Sequence, residues 1–176
     1  MADLMWAPWR KKYVASPSDE GCIFCIKPQE KKDRKNYILR RAKYSFALLN
    51  LYPYNNGHIM IAPYRHAATL SALKPCERNE LWNMVVVFEE ILQNALNPHG
   101  FNIGLNVGKA GGAGFDEHLH IHIVPRWSGD TNFMPVLADI KVIPESMESV
   151  YQVLTAEMRK RGGSAGKTKR SRKKRA

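Results

Sequence analysis

The chain has 176 residues, 44% of them apolar and 10% aromatic, which suits one packed domain and leaves little room for a second. Its net charge of +11 is local: residues 159–176 hold ten of the 27 Lys/Arg and no Asp/Glu, so the rest is nearly neutral. No apolar run is long enough to span a bilayer, and the first residues lack the basic-then-apolar layout of a secretory signal; a cytoplasmic protein without membrane association is expected.

Residues 1–21 read as an N-terminal arm, aromatic and basic around Trp6, Trp9 and Tyr13. A domain is expected over residues 22–160. Within it, residues 36–40 and 45–51 are rich in Tyr, Ile, Leu and Phe and read as strands. The turn Pro53-Tyr54-Asn55-Asn56-Gly57 leads into a third strand at 58–62, forming a hairpin. Over 75–96 the period lengthens. Leu81, Val85, Phe88, Leu92 and Leu96 recur every three to four residues, so a helix is expected, stopped by Asn97-Pro98-His99-Gly100. Cys76, at that helix start, reads as a packing residue. Strands at 101–106 and 118–124 and a helix at 144–159 complete the domain. Strands in meander order with a helix between them indicate an α+β fold with an antiparallel sheet of about five strands and two helices.

The basic tail, residues 161–176, has no apolar side chain larger than alanine and reads as disordered. It is either a solvated extension or a weak nucleic-acid contact working through phosphates and counterion release.

The strongest chemical signal is His118-Leu119-His120-Ile121-His122-Ile123-Val124. Strict alternation sends Leu119, Ile121 and Ile123 into the core and lines the three histidines along the other face, successive ones roughly 6.6 Å apart. Two such histidines can share a metal, so a metal hydrolase or lyase using His118 and His120 is one reading. Three in a straight row fit an elongated anion better, and neutral imidazole is a competent nucleophile near pH 7. Just upstream, the stretch from Asn106 to Gly114 is glycine-rich. Backbone N–H groups near Gly112 and Gly114 could cradle a phosphate there, although a plain flexible turn explains the glycines equally well.

Three cysteines without an export signal do not suggest disulfides. Cys22 and Cys25 have the two-residue gap of a tetrahedral metal site. Redox proteins use the same gap, but in a strand-to-helix context that the loop before Cys22 does not suggest.

Together with Leu48-Leu49-Asn50, Asn56-Gly57-His58, Pro63-Tyr64-Arg65-His66, Asn106 and Pro125-Arg126-Trp127, the HLHIHIV segment resembles the histidine-triad (HIT) superfamily over about residues 22–139. The stretches NLYPYNNGH, HLHIHIVPRW and GDTNF are most similar to its branch of diadenosine polyphosphate hydrolases and phosphorylases. The resemblance implies a HIT-like fold and a homodimer whose sheet continues across the two-fold axis. It implies His120 as the nucleophile of a covalent nucleotidyl-histidine intermediate, His122 at the phosphate or leaving-group oxygen, and His58 in support. It places Asn50 at the ribose and Asn106 at the phosphates. In many bacterial members a CxxC pair is completed by two histidines, here His66 and His118, which implies a structural zinc held by Cys22, Cys25, His66 and His118. No organic cofactor is implied. One feature departs from the pattern: where many members carry Gln-Ser or Gln-Thr, this chain has Gly112-Ala113-Gly114-Phe115, which offers backbone donors alone.

The expected function is cleavage of a nucleoside phosphate compound, such as the dinucleoside polyphosphate diadenosine tetraphosphate, by phosphorolysis or hydrolysis, with an adenine nucleotide in the pocket. A nucleoside phosphoramidate hydrolase and a non-catalytic nucleotide-binding module with a nucleic-acid-binding tail remain as alternatives.

Overall fold

The computed structural model describes residues 21–131 and 143–172, with side chains as far as Arg161. Trp6, Trp9 and the rest of the expected arm before Gly21 lie outside the described residues, as do residues 173–176 of the tail. Five strands form one antiparallel sheet: β1 (Ile38–Arg41), β2 (Ser45–Leu49), β3 (Ile59–Pro63), β4 (Gly100–Leu105) and β5 (Ile121–Arg126). Among the described residues, three α-helices accompany it: α1 (Ile23–Gln29), α2 (Pro75–Leu96) and α3 (Met147–Arg172). The fold is α+β, as expected, with one more helix. Seven residues with Pro28 inside are too few to show a helical period, which is why α1 escaped the sequence reading.

The sheet is not a simple meander. Its order is β1-β2-β3-β5-β4, so the last strand inserts between β3 and β4. Burial accounts for the exchange. β5 is buried along nearly its whole length and fits the interior, whereas β4 exposes Asn102 and Ile103 and fits an edge. The register sets Met60 opposite His122, so His58, two residues before Met60, shares a sheet face with the histidine segment.

One face of the sheet carries Ala47, Leu49, Ile59, Ile61, Leu119, Ile121 and Ile123, packed under α2 and α3. The helices answer with Leu81, Val85, Phe88 and Leu92 from α2 and Val150 and Leu154 from α3. The histidine face is closed by a smaller cluster of Phe24, Ile38, Phe46, Leu48, Met60 and Ala62. Pro75 opens α2 where a missing N–H costs nothing, and Glu77 accepts the Lys74 N–H at 2.6 Å. Asn97 closes it in the left-handed conformation, φ 47°. Cys76 is exposed on the first turn of α2, so it is not the packing residue expected: the buried stripe begins with Glu77 and Leu81.

Gly57 fixes how closely the β2–β3 hairpin approaches α2. Its φ is +72°, and a Cβ there would stand 2.5 Å from Leu96 Cδ1. The third helix runs past residue 159 to Arg172, across Gly162-Gly163. The packed half containing Val150 and Leu154 supplies the nucleus, and propagation then adds one hydrogen bond for each residue fixed. Among the described residues, no helix is long and apolar enough to cross a membrane.

Candidate active site and metal cluster

The strand expected to start at His118 starts by hydrogen bonding at Ile121, but alternation begins earlier because the Leu119 N–H donates to the Ala67 carbonyl at 2.7 Å. His118, His120 and His122 lie opposite Leu119 and Ile121, and all three are buried. They do not form an equivalent row. Each ring has a different hydrogen-bond partner, and that partner decides which nitrogen keeps the proton.

His118 sets Nε2 2.9 Å from the Pro63 carbonyl oxygen. A carbonyl only accepts, so Nε2 carries the proton and Nδ1 keeps its lone pair. His120 is the reverse: Nδ1 lies 2.9 Å from the His118 carbonyl oxygen, so Nδ1–H donates and Nε2 holds the lone pair. The proton on His122 is set by His58. The Tyr54 backbone N–H donates to His58 Nδ1 at 3.0 Å, which puts the His58 proton on Nε2. That nitrogen is 2.9 Å from His122 Nδ1 and donates to it, leaving neutral His122 with its proton on Nε2. His120 therefore has its lone pair on Nε2 and His122 its proton on Nε2, in rings whose centroids are 4.7 Å apart. Burial lowers the pKa of His120, against the pull of the His118 carbonyl, so the ring is neutral at neutral pH.

The supporting groups are short-range. Asn50 directs Nδ2 toward His58 Nδ1 at 3.3 Å and accepts the Tyr52 N–H on Oδ1 at 2.9 Å. Its amide is thus tied to His58 and to the Tyr52 backbone. The Tyr54 ring lies over His58 and His122, at 4.6 and 5.6 Å between centroids. Phe24 lies over His120 at 4.6 Å and over His118 at 5.2 Å. Neither aromatic was singled out from the sequence. Phe24 sits inside the CxxC segment and Tyr54 inside the hairpin turn, and those positions were the available signals.

Cys22, Cys25, His66 and His118 come together, with one ligand atom from each all within 4.8 Å of one another. His118 Nδ1 is 3.2 Å from Cys22 Sγ and 3.6 Å from Cys25 Sγ, and His66 Nδ1 is 3.4 Å from Cys25 Sγ. A tetrahedral ion with bonds of about 2.0–2.3 Å needs ligand separations of about 3.3–3.8 Å, which these three separations approach, and the full set, within 4.8 Å, could close onto an ion with a small shift. The His118 proton on Nε2, held by Pro63, is the second hydrogen bond that a metal-binding imidazole ordinarily makes. Burial lowers the pKa of His118 to about 4, which keeps Nδ1 unprotonated as a ligand. Burial, then Cys22, pushes the Cys25 thiol up to about 11, so two adjacent thiolates require a cation. Cys22 is the N-cap of α1, which is only the helix half of the strand-to-helix context that a redox reading expects. The two imidazole nitrogens beside the sulfurs favour the metal reading all the same.

The glycine-rich stretch forms a short 3-10 turn (Lys109–Gly111), with Gly108 and Gly112 at φ of 70° and 82°. The Gly112 N–H donates to Lys109 O at 3.0 Å and closes this turn, so it is not offered to a ligand as the nest reading supposed. Asn106 Nδ2 braces the loop on Gly112 O at 3.3 Å. The Gly114 N–H has no acceptor among the described residues. Arg126, the last residue of β5, forms an ion pair with Asp130, and Asp130 also accepts from Asn55 Nδ2 and the Trp127 N–H, tying the segment after β5 to the hairpin turn.

A sequence profile described as the HIT domain matches residues 31–129. The chain is 38% identical to an AP-4-A phosphorylase of Mycobacterium tuberculosis over 87% of this chain and 83% of that protein. Among solved structures, a hypothetical histidine triad nucleotide-binding protein from Sulfolobus tokodaii superposes with a TM-score of 0.61 at 26% identity, covering 79% of this chain and 90% of that one. A Zn-bound histidine triad family protein from Mycobacterium smegmatis shares the fold, with a TM-score of 0.67 at 21% identity over 84% of this chain and 99% of that one. With the histidine segment, its supporting His58 and the sheet order in place, these matches make the chain a member of the HIT domain family.

Proposed function

We propose that the protein cleaves a dinucleoside polyphosphate, with diadenosine tetraphosphate as the representative substrate, through a covalent nucleotide on His120. The pairing of an Nε2 lone pair on His120 with an Nε2–H on His122 carries this reading. His120 Nε2 attacks the α-phosphorus and the bond to the polyphosphate oxygen breaks. That oxygen takes the electron pair, with His122 Nε2–H as its hydrogen-bond donor. The new charge on His120 is met by the His118 carbonyl, already bonded to Nδ1–H. Water or inorganic phosphate then attacks phosphorus, and the P–N electrons return to Nε2. Positioning and donors dominate such transfers, so the acceptor that reaches the intermediate decides between hydrolysis and phosphorolysis. Asn106 and residues 112–114 sit at the phosphate end, with Gly114 as the available backbone donor, and His58 and Asn50 hold His122 from behind.

Cys22, Cys25, His66 and His118 hold a structural zinc in this reading. Zinc would supply a cross-link between α1 and the active segment and take no part in the transfer. A homodimer forms by antiparallel pairing of the outer edge of β4, where Ile103 is exposed. The protein is cytoplasmic, and its basic tail gives a weak, salt-sensitive contact to nucleic acid.

The test is incubation of the purified protein with diadenosine tetraphosphate, with and without inorganic phosphate, with products read by mass. ADP and ATP in phosphate indicate phosphorolysis; AMP and ATP in its absence indicate hydrolysis. No cleavage under either condition, with no nucleotidyl-histidine in a single turnover, removes the reading.

A further inference from the structure

The site leaves one component without a task. Phe24 is fully buried, yet it lies on the histidine face of the sheet between the two cysteines rather than under the main helices. Its ring meets His120 at 4.6 Å between centroids with 30° between planes, His118 at 5.2 Å and 40°, and Phe115, at the end of the glycine-rich loop, edge-on at 5.9 Å. One side chain thus touches the nucleophile position, a metal-cluster histidine and the loop proposed for phosphate.

We propose that Phe24 is a positioning residue for His120, a flat wall that holds the imidazole with Nε2 directed at the substrate. The inference rests on His120 being the nucleophile. The Nδ1–H bond to the His118 carbonyl pins one corner of the ring but leaves it able to swing about that bond. The His122 ring stands against it at 72°, and the Phe24 face closes another approach. Phe24 is itself braced. It occupies the first turn of α1, and the residues bracketing it, Cys22 and Cys25, both bring sulfur within 3.6 Å of His118 Nδ1. The wall is therefore tied to the segment it positions. An aliphatic side chain would fill the same volume, but a flat partner restricts tilt of the imidazole, and attack on phosphorus depends on alignment.

The test compares Phe24→Leu and Phe24→Tyr with the unmutated, metal-loaded protein. Expected for Phe24→Leu is a fall in kcat of about tenfold or more, with KM within about threefold and metal content unchanged. Single-turnover formation of the nucleotidyl-histidine slows by the same factor. Phe24→Tyr keeps the flat face and restores kcat to within about threefold of the unmutated protein. Unchanged kcat in Phe24→Leu, equal loss in both variants, or loss of metal in step with loss of rate overturns the proposal. Should Phe24→Leu fail to fold, nitrogen–proton correlation spectra of the unmutated protein's histidine rings decide. A single His120 tautomer with Nδ1–H, its ring protons shifted upfield by the Phe24 face, is expected; exchange-averaged tautomers overturn the inference. That spectrum does not depend on turnover, so it stands apart from failure of the nucleophile reading, which a still-active His120→Asn enzyme reveals.

Discussion

The two ends of the histidine segment make the most instructive contrast in the molecule. His118 and His122 are four residues apart on one face, both buried, both imidazoles with the proton assigned to Nε2. One turns Nδ1 to two cysteine sulfurs, and the other turns Nδ1 to His58. In the proposed function the first end holds still and the second exchanges hydrogen bonds with a ligand. Identical residue types take different tasks because each ring is presented to different fixed groups, a Pro63 carbonyl or a Tyr54 N–H relayed through His58. His120, between them, has the opposite tautomer for the same kind of reason.

This contrast is open to direct attack. Replacing His120 by Asn should cost the most: turnover falls by about three orders of magnitude or more while nucleotide affinity and thermal stability stay near those of the unmutated protein. Kinetics beside a binding titration check it, and retained turnover ends the division of labour. The metal end predicts the opposite signature. Cys22→Ser, or prolonged chelation, should lower stability by roughly 3 kcal/mol or more and shift the thermal midpoint, with zinc near one per chain in the unmutated protein. Metal below about 0.2 per chain, or a midpoint indifferent to chelator, would sink it.

Next in size is His58→Gln, which breaks the relay without touching the nucleophile. A fall of about ten- to a hundredfold in kcat with metal content unchanged is expected, and an equal fall in metal would merge the two ends into one unit. The smallest effect lies outside both. The Arg126 guanidinium holds Asp130 down to about 2 against the usual 3.8. A depressed carboxylate stabilises the fold above its unfolded pKa, so this contribution is lost as pH falls from about 4 to about 2. Denaturation midpoints across that window should flatten in Asp130→Asn, and an unaltered slope would show that the ion pair does not couple to folding.

Much of the architecture was legible because its signals are periodic. The α2 stripe of Leu81, Val85, Phe88 and Leu92 is buried as its spacing indicates, and the five strands fall within a few residues of their expected places. The departures are equally particular. The helix α1 is too short to be periodic, and Cys76 follows a proline that announces a helix start but says nothing of which side faces water. The insertion of β5 between β3 and β4 depends on which strand has the drier surroundings, a property of the assembled sheet.

By itself, then, the sequence determined an α+β domain, the alternation that separates Leu119 and Ile121 from the histidines, and the Cys22/Cys25 pair, while His66 and His118 as its partners came from the resemblance to the HIT superfamily. The alternation and the pair follow from local rules, since side-chain direction along a strand and ligand spacing within a few residues are properties of short chain segments. Tertiary structure alone decided which nitrogen of each histidine keeps its proton, that Asn50 is tied to His58, that Gly112 uses its N–H on its own turn, and that Phe24 reaches His120. Each of these depends on a partner brought in by the packing of separate elements or by the closing of a loop. A hydrogen bond or a ring contact exists only once that geometry is complete.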